Sequence, residues 1–195
     1  SDVKYQHIVD WWRTQYGLLC KEGMSRDMLQ RVGRDNTQCF REGINHFFSS
    51  LYAHNIPVLV FSAGLGDVIT QLLSHNSLYT QNVHVIANFF AFDSNDRAVS
   101  VKNDLIHVFN KGEFGLDGQY QDAVRDRDNV ILLGDSEGDV TMAEGIEHST
   151  VLRIGFLNDR VEERIERFEH LYDAVITDDG PLTEVNEIIS SIIDG

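Results

Sequence analysis

The sequence predicts an α/β protein in which a helical segment precedes a parallel sheet with crossover helices. Residues 2–52 show no strand-like alternation, and their apolar residues recur three and four positions apart. From Ile56 onward, short apolar runs alternate with helical stretches. Val130 and Ile131 begin one such run with β-branched side chains, which suits a strand buried on both faces.

Helical periodicity in the first segment comes from regularly spaced apolar residues. These are Ile8, Trp11, Trp12, Phe40, Ile44, Phe47, Phe48 and Leu51. The glycines at 17, 23 and 33 interrupt the pattern, so we expect about three helices.

The remainder of the chain alternates between the two patterns. Strand-like runs lie at 57–61, 83–87, 130–133, 150–154 and 173–176, and helical stretches lie near 65–75, 137–146, 158–168 and 182–193. This alternation predicts parallel strands joined by helices. The segment 88–110 differs, because its aromatic and β-branched residues predict a β-hairpin around Ser94-Asn95-Asp96.

The net negative charge of the chain argues against acidic macromolecules as binding partners. The chain has 195 residues, a net charge of −15 and 42% hydrophobic residues, which is typical of a globular protein. An acidic surface repels nucleic acid polymers and acidic membranes, so we expect neither as a partner. An anionic ligand must then be held locally by a metal ion, a lysine or the positive end of a helix.

The sequence also predicts a cytoplasmic location. No apolar run approaches the roughly 20 residues that span a bilayer, and no basic-then-apolar segment marks the amino end for export. Cys20 and Cys39 lack metal-type spacing and are predicted to be reduced thiols. We also expect a monomer.

The segment from Val130 to Asp139 is the most informative part of the chain. Four apolar residues run into Gly134 and Asp135, and helix-like sequence follows. Sheets of α/β proteins place ligand sites on loops at the carboxyl ends of strands, and Mg²⁺ often takes one or two carboxylates plus phosphate oxygens and water. Asp135 and Asp139 therefore predict half of a magnesium–phosphate site. The alternative is an acidic turn that caps the next helix, with Gly134 and Gly138 supplying backbone freedom.

A second strand-to-helix turn predicts an anion site. The strand 58–61 runs into Ser62, Ala63 and Gly64, and helical sequence follows. Backbone N–H groups at such a turn can cradle an anion, and the Ser62 hydroxyl can add a hydrogen bond. Lys111 would supply the fixed cation that this acidic site needs. The alternatives are a plain turn and a solvated surface lysine.

These pieces occur in an order that resembles a known superfamily. A strand ending in Ser62, then Lys111, then a strand ending in Gly-Asp-x-x-x-Asp is similar to motifs two, three and four of the haloacid dehalogenase superfamily. The closer resemblance is to the cytosolic 5'-nucleotidase III family, which holds pyrimidine and 7-methylguanosine-phosphate-specific 5'-nucleotidases. It runs from about Tyr5 to the end of the chain. The segments that carry it are 60–64 (VFSAG), 106–111 (IHVFNK), 132–136 (LLGDS) and 154–161 (IGFLNDRV).

The resemblance implies a haloacid-dehalogenase-like, Rossmannoid parallel sheet over residues 55–195 and a helical cap over residues 1–54. It also implies hydrolysis of a nucleoside 5'-monophosphate, with Mg²⁺ as cofactor and an aspartyl-phosphate intermediate. Phosphoryl transfer of this kind depends on positioning the phosphate and neutralising its oxygens.

Site residues follow from the matched motifs. The resemblance implies that Asp135 is a metal ligand and that Asp139 supports it, both at the catalytic metal site. It implies that Ser62 and the N–H groups at positions 63 and 64 hold phosphate oxygens. Lys111 would bridge the phosphate and the nucleophile as a catalytic residue.

Substrate selection is implied to lie in the cap, where an aromatic residue stacks on the base. Trp11 and Trp12 fall at the matching place, with Trp12 favoured, and Gln15 is expected to line the same pocket. A tryptophan would suit the cationic ring of 7-methylguanine through cation–π attraction. The alternative is that both tryptophans are core residues between cap helices.

One motif of the family is missing from its place. The nucleophilic aspartate belongs to Asp-x-Asp-x-Thr or Asp-x-Asp-x-Val, directly after a buried strand and ahead of the cap. The stretch 126–130 (DRDNV) fits these letters but is predicted to precede a strand. We therefore expect either a truncated sequence or a lost nucleophile, a sheet left open at its centre, and no covalent chemistry by these residues alone.

Two other functions remain open at this level. A missing nucleophile suits a non-catalytic protein that binds phosphate or a nucleotide. Gly134-Asp135-Ser136 is also similar to the nucleophile block of GDS-type esterases, with Ser136 as nucleophile. That block belongs near the start of a chain, and no Asp-x-x-His follows it here.

Overall fold

A computed structural model describes residues 2–36, 40–102, 104–107, 122–144 and 147–195. The chain divides into two compact units, residues 1–39 with 58–109 and residues 40–57 with 110–195. In chain order, the elements are α1 (Asp2–Lys21), α2 (Arg26–Asp35), α3 (Ile44–Ala53), β1 (Val58–Leu65), α4 (Gly66–His75), β2 (Val83–Asn88), β3 (Phe90–Phe92), β4 (Ala98–Val101), β5 (Asn129–Gly134), a 3-10 turn (Asp139–Ala143), β6 (Thr150–Leu157), α5 (Val161–Leu171), β7 (Ala174–Thr177) and α6 (Thr183–Asp194).

Helices α1 and α2 belong to the first unit. Ser25 caps α2 by accepting a hydrogen bond from the Met28 N–H. The prediction of three helices in the first segment is confirmed, but only Gly23 lies in a turn between helices. Gly17 and Gly33 lie inside α1 and α2, so their predicted role as separators is wrong. One glycine costs a helix only about 1 kcal/mol, which packing readily offsets.

The first unit contains a parallel strand pair and an antiparallel hairpin. β1 pairs with β2 in parallel, with α4 as the crossover helix. β3 pairs with β4 as predicted around Ser94-Asn95-Asp96. Asp93 stabilises that turn, because its Oδ1 accepts hydrogen bonds from the N–H groups of Asn95 and Arg97, each at 2.9 Å.

The core of the first unit joins α1 to this hairpin. Its buried residues are Tyr16, Leu29, Phe90 and Ala98. Phe90 is fully buried, and its ring meets that of Tyr16 edge to face, with 5.9 Å between centroids. Helix α1 is thereby held against the sheet residues of its own unit.

The second unit contains three parallel strands in the order β5-β6-β7. Leu132, Leu157, Phe168 and Tyr172 form its core. The helix predicted near 137–146 is a short 3-10 turn over Asp139–Ala143 within the part of that segment that the structure describes. The other helices and strands predicted after Ile56 are confirmed, with ends that differ by a few residues.

Helix α3 packs within the second unit although it follows α1 and α2 in sequence. The Asn186 side chain of α6 donates to the Gly43 carbonyl at 3.1 Å, and the Leu182 N–H donates to the Glu42 carbonyl at 2.9 Å. These contacts join the start of α3 to the start of α6. The division into a cap at 1–54 and a core at 55–195 stays a prediction.

The parallel ladders and their crossover helices confirm the predicted α/β class. Backbone pairing among the described strands forms separate ladders, β1-β2 and β5-β6-β7. Across the described ranges, the structure contains no helix with the length and apolar character of a membrane span.

Two helical glycines provide a matched test of helix packing. A Cβ at Gly33 would collide with Gln71 and lie 2.9 Å from its backbone carbonyl carbon, whereas a Cβ at Gly17 would meet nothing within 4 Å. We expect Gly33→Ala to lower the free energy of unfolding by about 1–3 kcal/mol through overpacking. Gly17→Ala should raise it by about 0.5–1 kcal/mol through helix propensity. Urea unfolding measures both, and equal effects of the two variants would contradict the assigned packing.

Candidate active site

The loop after β5 is organised around a buried carboxylate. Asp139 is only 3% exposed, and its Oδ2 accepts hydrogen bonds from the backbone N–H groups of Asp135 and Ser136, each at 3.0 Å. The loop therefore folds back over the first residue of the 3-10 turn. This arrangement leaves Asp135 exposed, with its backbone fixed by the neighbouring acid.

Tyr172 fastens the same loop from the end of α5. Its hydroxyl donates to the Ser136 carbonyl at 2.6 Å. Burial raises the pKa of the Tyr172 phenol, and the negative charges of Asp139 and Asp135 raise it further. The phenol therefore stays protonated and remains a hydrogen-bond donor. A Cβ at position 134 would lie 2.6 Å from this hydroxyl, so the loop requires glycine there.

The loop after β5 offers a metal ion only one or two carboxylate ligands. Within the ranges that the structure describes, no group of three or more His, Cys, Asp or Glu side chains is arranged to hold a metal. Mg²⁺ does not need such a group, because it commonly keeps several waters and takes one or two carboxylates plus phosphate oxygens. The exposed Asp135 carboxylate fits that role. Asp139 is already engaged in holding the backbone, so it fits the supporting role.

The predicted phosphate-binding turn at residues 62–64 is a bulge in β1. The β1-β2 register runs regularly to Phe61 opposite Ile86 and resumes at Leu65 opposite Asn88. Ser62, Ala63 and Gly64 therefore leave the ladder, as expected of a bulge near a functional loop.

Hydrogen bonds within the bulge involve both its donors and its acceptors. The Gly64 N–H donates to Ser62 Oγ at 3.0 Å. The Ala63 carbonyl accepts from the Tyr16 hydroxyl at 3.1 Å and from Asn88 Nδ2 at 2.8 Å. Asn88 is 1% exposed, and it also exchanges two hydrogen bonds with the backbone of Ile106. This single amide ties the bulge to the segment that leads toward position 107.

Asp67 is a structural residue of this region. It lies in the first turn of α4, where its Oδ2 accepts a hydrogen bond from the Phe90 N–H at 2.8 Å. The carboxylate therefore anchors the first residue of β3, which agrees with the plain strand-to-helix interpretation of that position.

The two tryptophans of α1 occupy different environments. Trp11 is 51% exposed, so the alternative of a core role is wrong for it. Trp12 is partly buried against the core of its unit and stacks on Tyr16, with 5.4 Å between ring centroids and 19° between ring planes. Gln15 is partly buried on the same helix.

Lys111 lies outside the described residues, so its predicted role stays a prediction. The stretch 126–130, which fits the letters of the nucleophile motif, runs into the start of a strand, because β5 begins at Asn129. Tyr16, Asn88 and Tyr172 were not predicted from the sequence as site residues. Tyr16 had a signal, since it lies one helical turn after Trp12. The sequence around Asn88 and Tyr172 contains no pattern that indicates their contacts with these loops.

The loop after β5 predicts a difference between its two acids. Asp139→Ala leaves two N–H groups without their acceptor, so we expect the free energy of unfolding to fall by about 2–4 kcal/mol. Asp135→Ala, at an exposed position of the same loop, leaves these N–H groups their acceptor, so the loss should be clearly smaller than in Asp139→Ala. Urea unfolding in EDTA, which removes metal effects, measures both. Similar losses in the two variants would show that Asp139 does not hold the loop.

The raised pKa of Tyr172 predicts a pH effect on stability. An unfolded tyrosine ionises near pH 10, whereas the folded phenol stays protonated to higher pH. Its contribution is therefore complete below pH 10 and is lost as pH rises further, at up to about 1.4 kcal/mol per pH unit. The stability difference between the wild type and Tyr172→Phe should be constant to about pH 9 and then shrink. Tyr52→Phe, at an exposed position of the same unit, controls for hydroxyl removal, and a difference that stays constant above pH 10 would refute the assignment.

Comparisons with known proteins identify the family of the chain. Residues 1–193 match the family model described as pyrimidine 5'-nucleotidase (UMPH-1). The chain is 38% identical over 192 residues to a human 7-methylguanosine phosphate-specific 5'-nucleotidase, covering 97% of this chain and 64% of that protein. The corresponding Drosophila melanogaster protein is 32% identical over 192 residues, with 97% and 60% covered.

A solved structure supports the same grouping. The crystal structure of cytosolic 5'-nucleotidase IIIB bound to cytidine matches with a TM-score of 0.89 and 32% identity, over 99% of this chain and 65% of that one. This match confirms the predicted haloacid-dehalogenase-like α/β fold. The chain spans 64% of the length of the human relative. With a family model that matches nearly every residue, the chain belongs to the UMPH-1 pyrimidine 5'-nucleotidase family.

Proposed function

We propose that the protein acts as a magnesium-dependent 5'-nucleotidase that hydrolyses nucleoside 5'-monophosphates to nucleoside and phosphate, in the cytoplasm and as a monomer. The observation that carries the proposal is the loop after β5. In a member of this family, buried Asp139 holds the N–H groups of Asp135 and Ser136 and so presents an exposed carboxylate at the carboxyl end of a parallel strand.

Asp135 and Ser62 are the described residues that would bind the metal and the phosphate. Asp135 would hold Mg²⁺, which when bound would offset part of the negative charge on the phosphate oxygens. Ser62 Oγ already accepts the Gly64 N–H, so its own hydroxyl hydrogen can be donated to a phosphate oxygen. Lys111 would add a positive charge. A protein with a net charge of −15 needs these local devices to hold an anion.

Base selection is proposed to lie on α1. Named relatives act on 7-methylguanosine phosphate, one solved relative holds cytidine, and the family is named for pyrimidine nucleotides. We therefore propose both pyrimidine nucleotides and 7-methyl-GMP as substrates. Trp12 is the proposed stacking residue, with Trp11 and Gln15 beside it, and stacking on an aromatic ring contributes roughly 1–3 kcal/mol per base.

A second candidate function concerns these 195 residues alone. The stretch that fits the nucleophile motif runs into the start of β5 instead of following a strand, so we propose that they bind nucleotide without turning it over. Carboxylate attack on phosphorus needs an aspartate that faces the phosphate, and the family resemblance implies that this aspartate directly follows a strand. We do not retain the GDS-esterase alternative for Ser136, because the chain belongs to a nucleotidase family.

Calorimetric titration with CMP and 7-methyl-GMP tests the binding proposal. We expect binding in the presence of Mg²⁺, loss of binding in EDTA, and binding weaker by roughly tenfold or more in Asp135→Asn. Glu169→Gln makes the same charge change at an exposed position of α5 and should stay within about twofold of the wild type. Binding that does not depend on Mg²⁺ or on Asp135 would contradict the proposed function.

Phosphate release from CMP, UMP and 7-methyl-GMP decides between the two candidates. We expect none above background from the 195-residue chain, and release from a polypeptide in which a hydrophobic strand ending in Asp-x-Asp-x-Thr is placed ahead of Ser1. Release by the 195 residues that Asp135→Asn abolishes would overturn the binding-only proposal. It would also place a nucleophile within the present sequence.

A further inference from the structure

The Ala63 carbonyl is the point where helix α1 is fastened to the proposed phosphate loop. It accepts one hydrogen bond from Tyr16, 47 positions earlier in the chain, and another from Asn88. A carbonyl oxygen has two lone pairs, so both are engaged. Tyr16 is 3% exposed, and burial raises the pKa of its phenol, opposed by its hydrogen bond with Asn88. The phenol therefore stays a neutral donor.

The orientation of this carbonyl determines where the loop presents its donors. In a trans peptide the C=O and the N–H of one peptide unit point in opposite directions. Fixing the Ala63 carbonyl toward Tyr16 and Asn88 therefore aims the Gly64 N–H the other way, where it reaches Ser62 Oγ at 3.0 Å. Because Ser62 Oγ accepts the Gly64 N–H, the direction of that N–H helps to orient the Ser62 hydroxyl, whose own hydrogen is proposed to meet a phosphate oxygen.

The ring of the same tyrosine contacts the proposed base-stacking residue. Tyr16 and Trp12 lie nearly parallel, with 19° between planes and 5.4 Å between centroids, as expected for residues one helical turn apart. Tyr16 also meets Phe90 edge to face. The tyrosine is therefore held between the core of its unit and Trp12.

We propose that Tyr16 is a positioning residue that couples base recognition to phosphate binding. Its hydroxyl sets the direction of the phosphate-loop donors, and its ring sets the position of Trp12. The inference rests on the proposed function, because both subsites belong to it. A substrate that carries both a base and a phosphate then gains from one rigid connection between its two binding sites.

Titrations with separated parts of the substrate test the coupling. The probes are orthophosphate with Mg²⁺, the nucleosides cytidine and 7-methylguanosine, and CMP. Tyr16→Phe keeps the ring and removes the hydroxyl, so we expect orthophosphate and CMP to bind roughly five- to tenfold more weakly while nucleoside affinity stays within about twofold. Trp12→Leu should weaken nucleoside binding and leave orthophosphate binding within about twofold of the wild type. Tyr79→Phe, at an exposed tyrosine of the same unit, should change neither.

The outcomes separate this inference from the proposed function. Unchanged orthophosphate affinity in Tyr16→Phe, or equal weakening of nucleoside and orthophosphate with a lowered melting temperature, would overturn the role of Tyr16 while nucleotide binding by the wild type stands. A wild-type chain that binds neither orthophosphate nor CMP would overturn the proposed function and the coupling together. The effect of the Tyr16 hydroxyl on the β1 bulge can also be measured without a ligand, from the NMR chemical shift of the Gly64 amide. A shift in Tyr16→Phe but not in Tyr79→Phe is expected, and an unchanged signal would refute the hydroxyl's effect on the loop.

Discussion

The hydrogen bonds from two backbone N–H groups to the buried Asp139 carboxylate are the interaction on which the candidate site depends. They fix the course of the chain after β5 and so decide where the Asp135 carboxylate lies. A buried carboxylate is tolerated only when hydrogen bonds satisfy it. Tyr172 closes the arrangement by holding the carbonyl of Ser136, and the missing Cβ at Gly134 leaves room for that hydroxyl.

In the bulge of β1, as in the loop after β5, hydrogen bonds from side chains satisfy polar backbone groups. Its peptide groups lie outside the ladder, so side chains must satisfy them. Asn88 and Tyr16 meet one carbonyl, and Ser62 meets one N–H. Contacts within the protein therefore hold each loop in its conformation, which would lower the entropy lost on binding the proposed phosphate. Such preorganisation matters for an acidic protein, because its overall field opposes an anionic ligand.

Much of this organisation could be predicted from sequence. Runs of apolar residues located the strands after Ile56, because burial imposes a pattern on the order of apolar and polar residues along the chain. The acids that follow β5 were predicted from residue type and position. The strand predicted to end at Ser62 continues to Leu65, so the predicted strand-to-helix turn is a bulge inside β1. Helix ends were less certain. Gly17 and Gly33 lie within helices, since tertiary packing outweighs the small intrinsic cost of glycine.

The sequence by itself determined the α/β class, the order of the elements and the two loops that carry the polar groups, because periodicity and loop chemistry are local properties. Only the tertiary structure decided which distant side chains complete those loops. Tyr16 meets Ala63 across 47 positions and Tyr172 meets Ser136 across 36, and local patterning contains no record of such pairings. The tertiary structure also decided that Asp139 is buried and Asp135 exposed, since burial depends on what packs against each carboxylate.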